Sequence, residues 1–370
     1  MTDLTITAVD VVPYRIPYTK PLRFASGEVT HADHVLVRVR TEGGLVGYAE
    51  APPRPYTYGE TQTSIAAVIT QLFAPAVVGL EATERETMWH RLHRTIGNPT
   101  AKAAIDMAVW DVLGKAWGQP VHRLLGGYTD RLRVSHMLGF DTPAKMVDEA
   151  ARMIGTHGIR TFKVKVGRNP IDPDIAIVRA LREAYGDTIE LYIDGNRGWS
   201  ATESARALRL LDDLGLSFAE ELNPADDVLG RRWLVSQCRV PYIADESATT
   251  PAEVTRELLG GSATAISIKT ARTGFTESAR VLHLAEGLGV EVVMGNQIDG
   301  QLGTGCTLAF GAAHRATSAR AGELSNFLDI SDDLLVEPLT ISDGEMVVST
   351  EPGIGVRIDE EKVDRYRVDR

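Results

Sequence analysis

The sequence lacks the features that mark secreted, zinc-stabilised or membrane-spanning proteins. Among its 370 residues are two cysteines, Cys238 and Cys306, and neither lies in a CxxC or Cys/His cluster. A disulfide framework and a structural zinc site are therefore not expected. No apolar run reaches the roughly eighteen residues that cross a bilayer, and the first residues lack the basic and apolar pattern of a signal peptide. We expect a cytoplasmic protein with no membrane partner.

Positive charge is also in deficit. The chain has 39 lysines and arginines against 50 aspartates and glutamates, which gives a formal net charge of -11. A broad basic surface is absent from such a composition, so nucleic acid is not an expected partner. A pocket can still be locally basic, and a small anionic molecule remains compatible with this charge.

The first third of the chain shows strand patterns followed by helix patterns. Residues 34–39 alternate between apolar and polar types and precede a Gly43-Gly44 turn. Helical periodicity then runs from about Thr61 to Gly118. This order predicts an α+β domain, which we assign to residues 1–130.

The middle of the chain, residues 131–336, repeats a unit of one strand and one helix. Candidate strands begin about every 23–31 residues, close to the ~30 residues of one strand-plus-helix unit. Since eight parallel strands close a barrel, the pattern predicts an α/β fold of the (β/α)8 TIM-barrel type. The candidate strands are 132–138, 161–166, 189–194, 217–220, 242–245, 265–269, 291–294 and 322–324.

Acidic residues end several of these predicted strands. In a parallel barrel, the C-terminal strand ends face one cavity, where active sites are built. Asp194, Glu220 and Asp245 end three adjacent strands, and three carboxylates in a small volume repel unless a cation joins them. An oxygen-only ligand set without Cys or His favours Mg²⁺ first and Mn²⁺ second.

Lysines flank this expected metal site. Lys163 and Lys165 are two residues apart on one strand, so both should face the barrel interior or its mouth. Lys269 ends a strand nearly opposite in an eight-stranded ring. A lysine buried near other cations has its ammonium form disfavoured and can act as a base near neutral pH. We expect Glu246 to orient Lys269, and Asp299 to hydrogen-bond to the site from the seventh strand.

The order of these motifs along the chain carries a family resemblance. The motifs are Lys163-Val-Lys165, Asp194-Gly-Asn196, Glu220-Glu221, Ala244-Asp245-Glu246-Ser247 and Ile268-Lys269 with Gly274. The series resembles the enolase superfamily, specifically its muconate lactonizing enzyme subgroup, over nearly the whole chain. The resemblance implies a modified (β/α)8 TIM barrel and an α+β capping domain formed by residues 1–130 and the chain end, 337–370. It also implies a homo-oligomer, often an octamer.

The resemblance assigns a role to each group of charged residues. The residues that resemble the ligands of Mg²⁺ or Mn²⁺ are Asp194, Glu220 and Asp245. The residues that resemble the acid/base groups are Lys165 and Lys269, with Lys163 as their electrostatic neighbour. A non-catalytic protein that kept this fold would be expected to lose one of these groups, and none is lost here.

Two positions depart from the family pattern. Leu222 stands where proline usually follows the paired acids, which leaves Glu221 open as an alternative ligand to Glu220. Asp299 stands where glutamate is more common, so its role is the least defined.

The resemblance implies a step shared by several reactions. A carboxylate substrate is held by the cation, and an enolate-like species is stabilised by the cation and Lys163. In a muconate cycloisomerase, cis,cis-muconate closes to muconolactone and a lysine protonates the enolate. In a racemase, one lysine removes the α-proton and the other returns it. We predict the cycloisomerase, an intramolecular lyase of aromatic compound catabolism, and favour Lys269 as the proton donor.

Alternatives of the same superfamily are weighed by single motifs. N-acylamino acid racemases and o-succinylbenzoate synthases would use the same Lys165/Lys269 pair and remain open. Mandelate-type racemases and sugar-acid dehydratases use a seventh-strand histidine, which residues 291–300 lack. Dipeptide epimerases carry an Asp-x-Asp near the eighth strand, whereas this chain has Asp329-Ile330-Ser331.

Substrate recognition is expected from loops over the barrel mouth. The resemblance places residues 18–31 and 52–60 there, where their side chains can contact a distal carboxylate or an apolar body. The predicted substrate-binding residues are Asn196, Asn296, Arg23, Arg54, Tyr56 and Tyr58.

Overall fold

The N-terminal part of the chain forms an antiparallel sheet. The computed structural model describes residues 2–24 and 27–370. Its first strands are β1 (Ile6–Phe24), β2 (Gly27–Thr41) and β3 (Val46–Ala51), paired in the order β1-β2-β3. Along β2, Val35, Val37 and Val39 are fully buried, as the two-residue period of a strand requires. The predicted alternation at 34–39 therefore corresponds to a strand.

The predicted covering loop 18–31 is largely strand, which corrects that prediction. The β1–β2 hairpin continues beyond the sheet's core, and Leu22 pairs with Val29 near its tip. Tyr18 and Leu22 are buried in a small apolar cluster with Ile298 of the barrel. This apolar contact supports an extended hairpin where the sequence had suggested an irregular loop.

Helices connect the sheet to the barrel. They are α1 (Gln62–Val68), α2 (Ala74–Val77), α3 (Arg85–Leu92), α4 (Pro99–Trp117) and α5 (Val121–Leu125), with a π-helical stretch at Ile69–Phe73 between α1 and α2. Helix α4 lies against β3 at very short range. A Cβ added at Gly47 would lie 2.0 Å from the carbonyl oxygen of Ala108, so glycine permits this close approach.

Parallel strands build the barrel between residues 131 and 323, all of which the structure describes. They are β4 (Arg131–Leu138), β5 (Thr161–Lys165), β6 (Glu190–Asp194), β7 (Ala219–Glu220), β8 (Tyr242–Ala244), β9 (Ala265–Ile268), β10 (Glu291–Met294) and β11 (Gly322–Glu323). The strands pair in the order β10-β9-β8-β7-β6-β5-β4-β11 and form a near-closed barrel. Each of the eight predicted strands is present, with its ends within two residues of the predicted bounds.

Helices alternate with these strands. They are α6 (Pro143–His157), α7 (Asp172–Tyr185), α8 (Ala201–Leu210), α9 (Val228–Gln237), α10 (Pro251–Gly260), α11 (Thr270–Gly287), α12 (Gln301–Ala313) and α13 (Arg315–Ser318). Their starts follow local sequence signals. Ser200 and Glu203 form a capping box at α8, and Thr250 and Glu253 form another at α10.

Helix α4 of the N-terminal region fixes the start of barrel helix α11. The carboxylate of Asp106 accepts hydrogen bonds from the backbone amides of Phe275 (2.7 Å) and Thr276 (2.9 Å). These contacts lie at a kink where Gly274 has φ 59°, a left-handed conformation that favours glycine. The part of α11 at Phe275 and Thr276, just after the kink, is therefore held by the N-terminal region.

The chain end returns to the N-terminal sheet. Asp343 and Gly344, with φ values of 52° and 75°, form a turn that leads into β12 (Glu345–Val347), which pairs antiparallel with β4. Helix α14 (Glu360–Tyr366) follows, and its Val363 packs with Val12 and Tyr14 of β1. Throughout residues 2–24 and 27–370, every helix is too short or too polar to span a membrane.

Candidate active site

Strand register places the strand-end carboxylates side by side. Lys165 at the end of β5 pairs with Asp194 of β6, and Asp194 pairs with Glu220 of β7. Asp245 directly follows β8. All three carboxylate residues are fully buried. Because buried charges are costly unless they are paired, the neighbouring cations determine what this cluster can do.

Lys163 is a cation surrounded by carboxylates. Its Nζ lies 2.8 Å from Asp194 Oδ2, 2.8 Å from Glu220 Oε1 and 2.6 Å from Glu323 Oε1. Burial opposes the charged form of Lys163, but Asp194, Glu220 and Glu323 outweigh burial and raise its pKa well above the ordinary value. Lys163 is therefore a permanent positive charge at the centre of the cluster.

Glu323 is a site residue that the sequence reasoning missed. It ends β11, the last barrel strand, and it lay inside the predicted strand 322–324. The strand-end argument that identified the other carboxylates could have found it. Its contact with Lys163 brings the last barrel strand into the cluster.

Lys165 is linked to the loop after β6. Its Nζ donates to Asp194 Oδ2 (2.6 Å) and to Asn196 Oδ1 (2.6 Å). The Nδ2 of Asn196 donates in turn to Glu246 Oε1 at 3.1 Å. Asn196, predicted to bind substrate, thus connects Lys165 to Glu246 in this arrangement.

Lys269 is paired with Asp245, which corrects the expected orientation by Glu246. Lys269 Nζ donates to Asp245 Oδ2 at 2.5 Å, and Arg272 Nη1 donates to Asp245 Oδ1 at 2.6 Å. Burial lowers the pKa of Lys269, but Asp245 outweighs burial and raises it above the ordinary value. The prediction that nearby cations disfavour the ammonium form is therefore wrong for this arrangement. Arg272 was missed because it lies on α11, where the strand-end rule does not apply.

The contacts of the paired acids distinguish Glu220 from Glu221. Glu221 Oε2 accepts hydrogen bonds from the backbone amide of Asp245 (2.7 Å) and from Ser247 Oγ (2.8 Å). Burial, followed by the nearby charge of Glu246, raises the pKa of Glu221 to about 8. Glu220 Oε2 and Glu221 Oε1 are both buried without a hydrogen-bond partner among the described residues, so the distinction rests on the bonds of Glu221 Oε2. Glu221 is thus committed to the next loop, which favours Glu220 as a ligand.

Leu222 makes a contact that proline could not make. Its backbone amide donates to the hydroxyl of Tyr242 at 2.8 Å, and that hydroxyl donates to Asn223 Oδ1 at 3.0 Å. Since proline has no amide hydrogen, the departure from the family pattern is matched by a specific partner. The loop after Glu220 is anchored to β8 through this bond.

The carboxylate cluster fits a hard divalent cation by its chemistry. In the part of the chain that the structure describes, no three Asp, Glu, His or Cys side chains converge at ligand distance, because lysine ammonium groups lie between the acids. The acids Asp194, Glu220 and Asp245 are oxygen donors on adjacent strands, and Glu220 retains a buried oxygen without a partner. Such a set suits Mg²⁺ or Mn²⁺.

The segment after β10 forms a buried network of its own. Asn296 Oδ1 accepts from the backbone amide of Asp299 (2.8 Å) and from Asn326 Nδ2 (2.9 Å), and Asn296 Nδ2 donates to Asp299 Oδ2 (3.2 Å). Burial, followed by the charge of Glu50, raises the pKa of Asp299 to about 7. The expected hydrogen bond from Asp299 to the lysine and carboxylate cluster is not among these contacts. Asn296 and Asp299 instead shape the loop.

The predicted covering residues differ in their relation to the cluster. The hydroxyl of Tyr58 accepts from Arg272 Nη1 at 2.8 Å, whereas Tyr56 is 66% exposed. The carbonyl of Arg54 accepts from the amide of Tyr58 within the same turn. The side chain of Arg23 lies outside the described residues. Among these positions, Tyr58 is joined to the site through a direct contact.

Fold and site together define a barrel enzyme of the isomerase type, with lysines facing buried carboxylates. Residues 6–126 match the family model "Mandelate racemase / muconate lactonizing enzyme, N-terminal domain", and residues 145–362 match "Enolase C-terminal domain-like". The chain belongs to the enolase superfamily.

Comparison with known proteins gives relatives of several activities. A solved muconate lactonizing enzyme from Mucobacterium Smegmatis, complexed with muconolactone, is 67% identical, with a TM-score of 0.98 over 99% of this chain and 100% of the other. The L-Ala-D/L-Glu epimerase of Bacillus subtilis is 31% identical over 95% of this chain and 97% of its own. The N-succinyl-L-Arg/Lys racemase of Bacillus cereus is 29% identical over 99% and 98%.

Proposed function

We propose that this protein is a muconate cycloisomerase that converts cis,cis-muconate to muconolactone with Mg²⁺ or Mn²⁺. The observation that carries the proposal is the 67% identity, across 99% of the chain, to an enzyme complexed with muconolactone. The curated relatives near 30% identity include epimerases and racemases. The much higher identity to a muconate lactonizing enzyme therefore supports the cycloisomerase among the reactions that the same lysines can perform.

The buried carboxylates and Lys163 have different roles in the proposed reaction. Asp194, Glu220 and Asp245 would hold the divalent cation, which as a Lewis acid stabilises negative charge on a bound carboxylate. Lys163 adds a fixed positive charge held by Asp194, Glu220 and Glu323. Because it is fully buried, this charge acts with little screening by solvent.

Lys165 and Lys269 handle the proton. Lys165 ends β5 and Lys269 directly follows β9. These strands lie four positions apart in the ring of the barrel, so the two lysines approach a substrate from opposite sides. One carboxylate oxygen of muconate forms a C–O bond to an alkene carbon, and the alkene electron pair moves onto the adjacent carbon. A lysine ammonium gives its proton to that carbon and is later reprotonated from water. The muconate dianion thus takes up one proton to give the lactone monoanion, and the reaction is an isomerisation because the fully protonated acids have the same composition.

Racemisation of N-acylamino acids is the second candidate. It is favoured by the 29% identity to the N-succinyl-L-Arg/Lys racemase over 99% of this chain. The same two lysines would act in turn, one taking the α-proton as an amine and the other returning a proton to the opposite face. Racemisation requires a lysine at each face of the substrate and lactonization requires a lysine at one face, so the geometry alone admits either.

Substrate comparison tests the proposal. We expect EDTA-treated protein to consume cis,cis-muconate only after Mg²⁺ or Mn²⁺ is added, followed as loss of the diene absorbance. Lys269→Ala should lower kcat/KM on muconate, because Lys269 is the favoured proton donor, and full activity in this variant would contradict that choice. Lys145→Ala is the control because Lys145 is an exposed cation on α6. Racemisation of N-succinyl-L-arginine without muconate turnover would contradict the cycloisomerase assignment.

A further inference from the structure

The segment that joins β3 to α1, residues 52–60, is here called the capping segment. Its two ends are attached independently of its middle. At one end the carbonyl of Pro52 accepts from Gln297 Nε2 at 2.8 Å, and at the other Glu60 accepts from the backbone amide of Thr100 at 2.9 Å. The position of the middle therefore needs its own explanation.

Two barrel arginines attach the middle of the capping segment. Arg272 Nη1 donates to the hydroxyl of Tyr58 at 2.8 Å, and Arg197 Nη2 donates to the backbone carbonyl of Tyr56 at 3.1 Å. Each arginine also reaches one member of an adjacent acidic pair. Arg272 Nη1 lies 2.6 Å from Asp245 Oδ1, and Arg197 Nε lies 3.6 Å from Glu246 Oε1.

Both arginines are held in energetically unfavourable positions, one because its charge is buried and the other because of its backbone conformation. Arg272 is buried, and its guanidinium is acceptable there because Asp245 and Tyr58 accept from it. Arg197 has φ 67°, a left-handed conformation that disfavours residues with a Cβ. Its amide donates to the carbonyl of Glu221 at 2.7 Å, which holds the backbone in this shape and the side chain below the capping segment.

Apolar packing is a weak alternative explanation for the position of Tyr58. Tyr58 is only half-buried, and with Arg272 and Glu246 it lines a cavity of about 480 Å³. A side chain beside open space is not fixed by close packing on that side. Its hydrogen bond to the buried guanidinium is the contact that defines its position.

We propose that Arg272 and Arg197 are positioning residues that hold the middle of the capping segment over the lysine and carboxylate cluster. Each arginine donates to a neutral acceptor on the capping segment and pairs with Asp245 or Glu246 on its other side, so the segment and these acids form one connected unit. The inference rests on the proposed function in taking this cluster as the reaction site.

Hydrogen exchange of the full-length protein tests the proposal without substrate. Tyr58→Phe removes the acceptor for Arg272 and keeps the ring, whereas Tyr56→Phe is the matched control. The ring of Tyr56 is 66% exposed, and its contact with Arg197 is made by the backbone. The amides of Thr57 and Tyr58, both bonded to the carbonyl of Arg54, report on docking.

We expect peptides covering residues 52–60 to exchange about tenfold faster in Tyr58→Phe, because a hydrogen bond to a charged donor is lost. Arg197→Met should have the same local effect, and Tyr56→Phe should exchange at the wild-type rate. The melting temperatures should stay close to that of the wild type. Wild-type exchange in both Tyr58→Phe and Arg197→Met would overturn the proposal.

A second readout separates positioning from general stability. With muconate as substrate, we expect Tyr58→Phe to raise KM by a larger factor than it lowers kcat, since a less firmly docked cover releases substrate faster. Faster exchange throughout the N-terminal sheet, with a lowered melting temperature, would assign these contacts a purely structural role and overturn the proposal. If the wild type does not convert muconate, the proposed function fails while the exchange result stands on its own.

Discussion

Replacement of Glu50 should lower the free energy of unfolding more than the loss of an exposed ion pair does, because Glu50 attaches the N-terminal sheet to the barrel. Glu50 is the last residue but one of β3 and is 1% exposed. Its carboxylate accepts from the backbone amides of Gly300 (3.0 Å) and Gly303 (2.7 Å) at the start of α12, and from the hydroxyl of Tyr14 (2.8 Å). It also accepts from His34 Nδ1. One buried side chain thus joins β1, β2 and β3 to the loop that carries Asp299.

The magnitude follows from what each substitution leaves behind. Glu50→Ala removes the acceptor of four buried donors, which belong to Gly300, Gly303, Tyr14 and His34. Removing one partner of a buried charged contact costs about 3–5 kcal/mol. Glu50→Gln keeps the shape, but one oxygen becomes an NH₂ group that cannot accept. Since Oε1 and Oε2 serve different amides, we expect this variant to lose about 1.5–3 kcal/mol.

Urea unfolding monitored by tryptophan fluorescence measures these free energies. The matched control is Glu360→Gln, because Glu360 is 60% exposed and pairs with Arg38 on the surface of the same sheet. An exposed pair of this kind contributes about 0–1 kcal/mol. A Glu50→Ala protein that unfolds within about 1 kcal/mol of the wild type would refute the reasoning that this carboxylate joins the two parts.

Further predictions concern the loop after β7, a buried acid and the cation. Leu222→Pro should cost about 1–3 kcal/mol in urea unfolding, because the bond to Tyr242 is lost, and much less in a Tyr242→Phe background; equal costs in both backgrounds would contradict this. Burial raises the pKa of Glu277 to about 7, although the charges of Arg280 and Lys102 lower it. The protonated Glu277 therefore contributes stability that is fully present below about pH 4.5 and is lost as the pH rises through 7. Melting temperatures of Glu277→Gln should therefore decline less over this pH range than those of the wild type, and parallel curves would contradict the assignment. Mg²⁺ at a hundredfold excess over its Kd should stabilise EDTA-treated protein by about 2.7 kcal/mol, and Asp245→Asn should lose most of that gain in thermal unfolding; an equal gain in both proteins would exclude Asp245 as a ligand.

The barrel was predictable because each of its strands has its own local signal. Short apolar runs recur at the spacing of a strand-plus-helix unit, and the structure has strands at all eight predicted places. The identity of Asp194, Glu220 and Asp245 as neighbours then followed from topology, because parallel strand ends meet at one face. The register of β6 and β7 bears this out for Asp194 and Glu220, and Asp245 directly follows β8, which pairs with β7.

Side-chain pairing was less predictable because it depends on contacts distant in sequence. Lys269 bonds to Asp245 rather than to Glu246, and that choice reversed the expected direction of its pKa shift. The contacts of Arg272 and of the strand residues Tyr18 and Leu22 depend on partners across the interface between sheet and barrel. Such contacts have no periodicity in the sequence, so neither strand spacing nor strand-end position reveals them.

The most direct test of the proposed function is the conversion of cis,cis-muconate in D₂O. The protein is incubated with MgCl₂ and the substrate, with an EDTA control, and the proton NMR spectrum is followed. The account predicts muconolactone that carries one deuterium at the protonated carbon, formed only when the cation is present, and the position of the deuterium identifies the face that meets the lysine. Muconate that persists unchanged, with exchange of the α-proton of an N-succinyl amino acid under the same conditions, would contradict the cycloisomerase and support racemisation by the same pair of lysines.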